Sequence, residues 1–148
     1  MFSERLSFGG ASLHLYGETP WQLSPLCAPF RTDAETPAHE IHVRLADDMP
    51  TTPDTASSSF RTYRWRTGAQ RHTLQDYGVG FTYAVTEGCF TELTVSSRYA
   101  ENLRTQLLLE GVDLFDILAE RGMLVLHSSY VLRAEGDAIL FSGVSGAG

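Results

Sequence analysis

With 148 residues, 43% of them hydrophobic, the chain is long enough for one ordinary core and has the composition of a soluble globular protein. Its formal net charge of -7 excludes the usual electrostatic nucleic-acid binder, because neutralising phosphates takes a surplus of Lys and Arg. All 11 residues of the Lys+Arg total are arginines, so lysine chemistry is excluded within these residues.

Cys27 and Cys89 lie far apart without a CxxC spacing, which suggests neither a zinc site nor a disulfide framework. Met1 to Gly10 carries Glu4 and Arg5 and lacks the apolar run of a secretory signal. No stretch reaches membrane-spanning length. The expectation is a cytoplasmic protein with neither membrane nor nucleic acid as partner.

In chain order, Arg5 to Phe8, Ser12 to Tyr16 and Glu40 to Leu45 read as short strands. Glu18 to Pro37 holds four prolines and reads as irregular, and Asp47 to Ser59, rich in Pro, Thr and Ser, as an exposed loop. Strands are predicted at Phe60 to Arg66, Arg71 to Tyr77, Gly80 to Thr86 and Cys89 to Ser96. In the last pair, Phe81, Tyr83 and Val85 alternate with Thr82, Ala84 and Thr86, and Glu87 and Gly88 supply a tight turn. That pattern predicts a β-hairpin with one buried face.

At Arg98 to Arg121 the period changes. Leu103, Leu107, Leu114, Phe115 and Leu118 recur at three- and four-residue intervals and predict one helical stripe. Ser97 suits the N-cap, Glu101 the positive first turn and Gly122 the left-handed C-terminal position, while Gly111 is placed to bend or split the helix. Met123 to Leu132 and Ala138 to Ser142 read as buried strands, with a turn at Glu135 to Asp137.

Gly143, Val144, Ser145, Gly146, Ala147 and Gly148 fit the GxxxxG part of GxxxxGK(S/T) and follow an apolar strand. Glycines there let successive backbone N–H groups curl around phosphate oxygens with no Cβ in the way. Alternatives are a plain Gly-rich turn, or a variant GxSxG nucleophile elbow at Ser145, against which Ala147 stands in place of the last glycine.

His127-Ser128-Ser129-Tyr130-Val131, then Glu135 to Phe141, then Gly143 to Gly148 resemble the nucleotide-binding core of HPr kinase/phosphorylase and of ATP-dependent phosphoenolpyruvate carboxykinase. The resemblance covers about Leu124 to Gly148. It implies phosphoryl transfer from ATP, with Mg²⁺, to a hydroxyl of a protein or small molecule. It puts nucleotide phosphates on residues 143–148 and His127 where the carboxykinases have a metal-site histidine. Read without the resemblance, one histidine in an apolar strand is commonly a core residue.

The loop lysine, the metal-binding Ser or Thr and the downstream carboxylates of these families are absent from the 148 residues. A carboxylate at Gly148 would repel phosphate by about 1 kcal/mol at 4 Å in water, and by up to about 4 kcal/mol at an effective dielectric near 20. The expectation is an α+β chain: an antiparallel β-rich region at 1–97, then a helix and an incomplete P-loop kinase core at 98–148, or one continuous domain. It reads as the N-terminal portion of an HPr kinase-like phosphotransferase, inactive alone and prone to self-association through uncovered strands. The alternative is a non-catalytic β-rich interaction module with a vestigial Gly-rich tail.

Other candidates are fewer. Arg61, Arg64, Arg66 and Arg71, with Tyr63 and Trp65 between them, suit either an acidic or phosphorylated partner or a solvated strand face. His39 and His42 flank Glu40 without a third ligand at useful spacing.

Overall fold

The structure is a computed structural model that describes residues 1–8, 11–19, 21, 25–33, 39–102, 109, 111–123, 129–132, 134, 136 and 138–141. Eight strands form one sheet: β1 Phe2–Phe8, β2 Ala11–Gly17, β3 His39–Leu45, β4 Ser57–Ser59, β5 Thr62–Thr67, β6 Gln70–Asp76, β7 Phe81–Glu87 and β8 Phe90–Val95. Their order is β1-β2-β3-β8-β7-β6-β5-β4. Two further strands, β9 Ser129–Leu132 and β10 Ala138–Phe141, make a separate antiparallel pair. Two short helices are described, α1 Ser97–Asn102 and α2 Leu114–Ala119, together with a 3₁₀ turn at Pro25–Phe30.

The sheet is mixed, which corrects the antiparallel expectation for the N-terminal region. β3 runs parallel to both its neighbours, with Leu15 opposite Ile41 and Val43 opposite Leu93. The reason is connectivity: a parallel neighbour needs a long crossover, and residues 18–38 supply one between β2 and β3. The antiparallel meander β4 to β8 then adds to the other side of β3.

Period-2 alternation sorts the side chains. Leu13 and Leu15 of β2, Ile41 and Val43 of β3, and Leu93 and Val95 of β8 are fully buried on one face, joined by Leu6 of β1. Tyr99 of α1, Val112 and Ile117 pack on the same cluster. At about 25 cal/mol per Å² of apolar surface, such burial is the main force holding the sheet to the helical segment.

The predicted hairpin is present. Glu87 pairs with Phe90, so Gly88 and Cys89 form the turn, and Gly88 at φ +55° takes the left-handed first position of a two-residue loop. The most buried face is the one carrying Thr82, Ala84 and Thr86; Tyr83 and Val85 are half-buried on the other. Small residues belong inside because Gly111 packs over Thr82, where even a Cβ on Gly111 would come within 3.1 Å. The Thr86 and Thr91 hydroxyls satisfy each other at 2.8 Å.

The strand predicted from Phe60 starts later, at Thr62. Ser57–Ser59 pairs back on β5, and Phe60 and Arg61 are the turn between them, both in the left-handed region at φ +46° and +63°. Two bulky residues there carry strain of about 1–2 kcal/mol each. Phe60 is fully exposed at the tip.

The helical region is split, and the single stripe is corrected. Leu103 and Leu107 lie outside the described residues. From Gly111 to Asp113 the chain is not α-helical, and Val112 N–H bonds the Leu109 carbonyl at 3.3 Å. Val112, Ile117 and Leu118 turn inward, and Phe115 points to solvent at 65% exposure. The N-cap is Ser96, one residue before the expected Ser97: its Oγ accepts from Tyr99 N–H at 3.2 Å and from Phe81 N–H at 2.9 Å. Gly122, at φ +73°, ends α2 as expected, and Met123 N–H returns to the Leu118 carbonyl at 3.0 Å.

Candidate functional site

β9 and β10 are the strands that the chain places ahead of its Gly-rich run. Leu132 pairs with Ala138, Tyr130 with Leu140 and Ser129 with Phe141, and Gly136 turns between them at φ +89°. β10 ends at Phe141, two residues before Gly143. Residues 143–148 and His127 lie outside the described residues, as do Glu135 and Asp137. The order strand, turn, strand, Gly-rich run is therefore described up to its last strand.

Two of the four arginines, Arg64 and Arg71, pair with the α2 segment. Arg64 Nε donates to Asp113 Oδ2 at 3.0 Å, and Arg71 Nη1 donates to Glu120 Oε1. Strands β5 and β6 thus hold the residues at the two ends of α2. A cleft of about 230 Å³ lies beside this latch, lined by Arg66 as well as by Arg64, Asp113 and Asp116. Arg71 lines it too, so three arginines face two aspartates there.

Opposite faces of β3 separate the histidines that flank Glu40. His39 is 1% exposed on the core face, its Nε2 2.8 Å from Thr91 Oγ1. Burial lowers its pKa to about 4, assisted by the positive charges of Arg121 and Arg71 against the opposing Glu120. It is a neutral core histidine. His42 lies on the outer face, its ring 5.3 Å from Tyr16. Among the described residues, no group of three or more His, Cys, Asp and Glu side chains converges as a metal site.

The outer face carries two polar and aromatic clusters. In one, Trp65 stacks on His72 at 5.0 Å and His72 Nδ1 lies 2.7 Å from the Tyr83 hydroxyl. Burial moves both groups toward their neutral forms, lowering the His72 pKa and raising that of Tyr83, which Glu92 raises further.

The other cluster joins three adjacent strands. His14 on β2 lies opposite Glu40 on β3, with Nδ1 2.9 Å from Glu40 Oε2, and Ser3 Oγ on β1 is 3.0 Å from His14 Nε2. Sequence reasoning does not find this group, because only the parallel register of β2 and β3 brings residues 14 and 40 together. The one local signal is the polar alternation of Ser12, His14 and Tyr16 with Ala11, Leu13 and Leu15.

No family model matches the chain. Neither a curated protein nor a solved structure matches it either. Among the described residues no helix is long and apolar enough to cross a membrane, which leaves strand-based crossing unaddressed.

Proposed function

We propose that this chain carries the leader and the opening elements of an HPr kinase-like, ATP-dependent phosphotransferase. Residues 143–148 form the first half of its phosphate-binding loop. The observation that supports this reading is the β9–β10 hairpin, whose second strand ends two residues before Gly143. A strand that hands the chain directly to GxxxxG is the context a P-loop requires, since the loop must emerge from a fixed end to aim its N–H groups at one point.

In this reading ATP and Mg²⁺ are the cofactors, His127 lies near the metal, and the acceptor is a hydroxyl of a protein or small molecule. The lysine that would reach the β- and γ-phosphates is not among the 148 residues, so they bind ATP weakly and transfer nothing by themselves.

The coding sequence beyond residue 148 tests the proposal, with Lys followed by Ser or Thr as the expected codons. Labelled ATP with Mg²⁺ is then titrated against the 148 residues and against a chain extended by its own coding sequence. Saturable binding by the extended chain alone is expected. A stop codon, or tight binding by the 148 residues, overturns the reading.

A further inference from the structure

We infer that Ser3, His14 and Glu40 form a hydrolytic nucleophile–base–acid relay on the outer face of the sheet. It cleaves esters of small, polar acyl groups. The inference is independent of the phosphotransferase reading, because none of its residues belongs to the segment that supports that reading.

With His14 neutral, hydrogen-bond polarity assigns the roles. An ionised carboxylate only accepts, so the 2.9 Å contact requires His14 Nδ1 to carry the proton and donate it to Glu40 Oε2. In neutral imidazole the remaining Nε2 is then an acceptor. The Ser3 hydroxyl at 3.0 Å must donate to it. The serine oxygen is thereby turned toward nucleophilic use, the base is held in one tautomer, and the carboxylate stands where an imidazolium would need it. Chain order is no guide to such an arrangement, which recurs on unrelated folds by geometry alone.

The surroundings give a substrate room. Ser3 is exposed, His14 and Glu40 are half-buried, and Ser3 lines a cleft of about 540 Å³ with Glu4, Arg5, Arg31, Thr32 and Asp33. Not one of these lining residues is apolar, so the cleft suits a short polar acyl group and gives a lipid chain nothing to bury against. Thr32 N–H donates to the Arg5 carbonyl at 3.1 Å on the side of β1 away from β2. By the two-residue period of a strand, the N–H of Ser3 faces that same edge, beyond the Leu6–Arg31 bridge, and is the donor for a developing oxyanion.

The chemistry balances as hydrolysis. Ser3 Oγ bonds to the ester carbonyl carbon as its proton passes to His14 Nε2. The carbon–oxygen bond to the alcohol then breaks, and the alcohol leaves with that proton. Water attacks the acyl-Ser3, His14 takes a proton from the water and returns it to Ser3 Oγ, and the free acid departs. Ester and water give acid and alcohol, with no oxidant or other co-reactant. Glu40 acts as a positioning residue through His14.

The test uses the full chain with a fluorophosphonate probe, read by intact mass and peptide mapping, and with p-nitrophenyl acetate hydrolysis. A single adduct on Ser3 is expected, together with hydrolysis reduced about 10²-fold or more in Ser3→Ala and in His14→Gln. Circular dichroism checks that both variants remain folded; Ser3→Ala removes one exposed hydroxyl and leaves the core intact. Glu40→Gln is expected to keep the adduct, slow its formation and move the pH–rate profile, which loss of packing alone would not do. Absence of a Ser3 adduct on the folded wild-type chain overturns the proposal. So does hydrolysis by Ser3→Ala at the wild-type rate, the behaviour of a surface histidine acting alone.

Discussion

His39 makes the stability of the sheet depend on pH in a window that can be calculated. Its side chain is on the core face, 1% exposed, and its pKa falls from 6.5 to about 4, chiefly through burial. The unfolded chain therefore binds the more protons between those two values, and stability is complete above pH 6.5 and lost as pH falls toward 4. With folded and unfolded values of about 4 and 6.5, the loss is about 2 kcal/mol at pH 5 and about 3 kcal/mol at pH 4. Urea unfolding of the wild type and of His39→Gln at pH 7.5 and pH 5.0 isolates this contribution from the other titrating groups. A glutamine side chain cannot titrate, so the variant should lose about 2 kcal/mol less than the wild type across that interval. Equal losses in the two proteins would refute the reasoning and show that the imidazole takes up a proton in place, through water or a partner not seen at Thr91.

Replacing Phe60 and Arg61 together with Asn and Gly puts the preferred residues at the two left-handed positions of the β4–β5 turn. The urea midpoint should rise by the equivalent of about 1–3 kcal/mol, and an unchanged midpoint would mean that the turn is unstrained in solution. The Arg64–Asp113 pair is partly exposed, so a double-mutant cycle with alanine should give a coupling of about 0.2–1 kcal/mol that fades in 1 M salt. A salt-independent coupling would point instead to packing between β5 and the α2 segment. Leu15→Ala removes a fully buried side chain from the centre of the core and should cost about 2–5 kcal/mol in chemical denaturation. A smaller cost would mean that α1 and its neighbours collapse into the space.

What the sequence discloses about this fold is what short-range physics determines. The β7–β8 hairpin, the left-handed end of α2 at Gly122 and the break near Gly111 are all set within a few residues, by turn chemistry or by helix period. The position of β3 is set at long range. Its register with Leu15 on one side and Leu93 on the other decides the topology, and no local pattern in Glu40 to Leu45 encodes parallel against antiparallel pairing. Alternation in Phe81 to Thr86 likewise announces two faces without saying which is inside. That choice depends on Gly111 reaching Thr82 across 29 residues of chain. Ser57–Ser59 carries no hydrophobic signal, because an exposed edge strand needs none.

The same distinction separates the two functional readings. A phosphate-binding loop is legible from sequence because its chemistry comes from consecutive backbone N–H groups, which demand glycines at fixed spacing. A relay of side chains from three strands has no such signature: Ser3, His14 and Glu40 are ordinary polar residues until the β1–β2 and β2–β3 registers align them. Register is also what makes the relay sensitive to a distant change. A one-residue slip of β3 past β2 would bring Ile41 or His39 opposite His14 and turn Glu40 to the core face, removing the carboxylate from Nδ1 while burying an unpaired charge. The hydrophobic pairing of Leu15 with Ile41 opposes that slip. The core that stabilises the sheet therefore also holds the base in its tautomer, and a substitution at Ile41 that loosens this register should lower Ser3 labelling before it unfolds the chain.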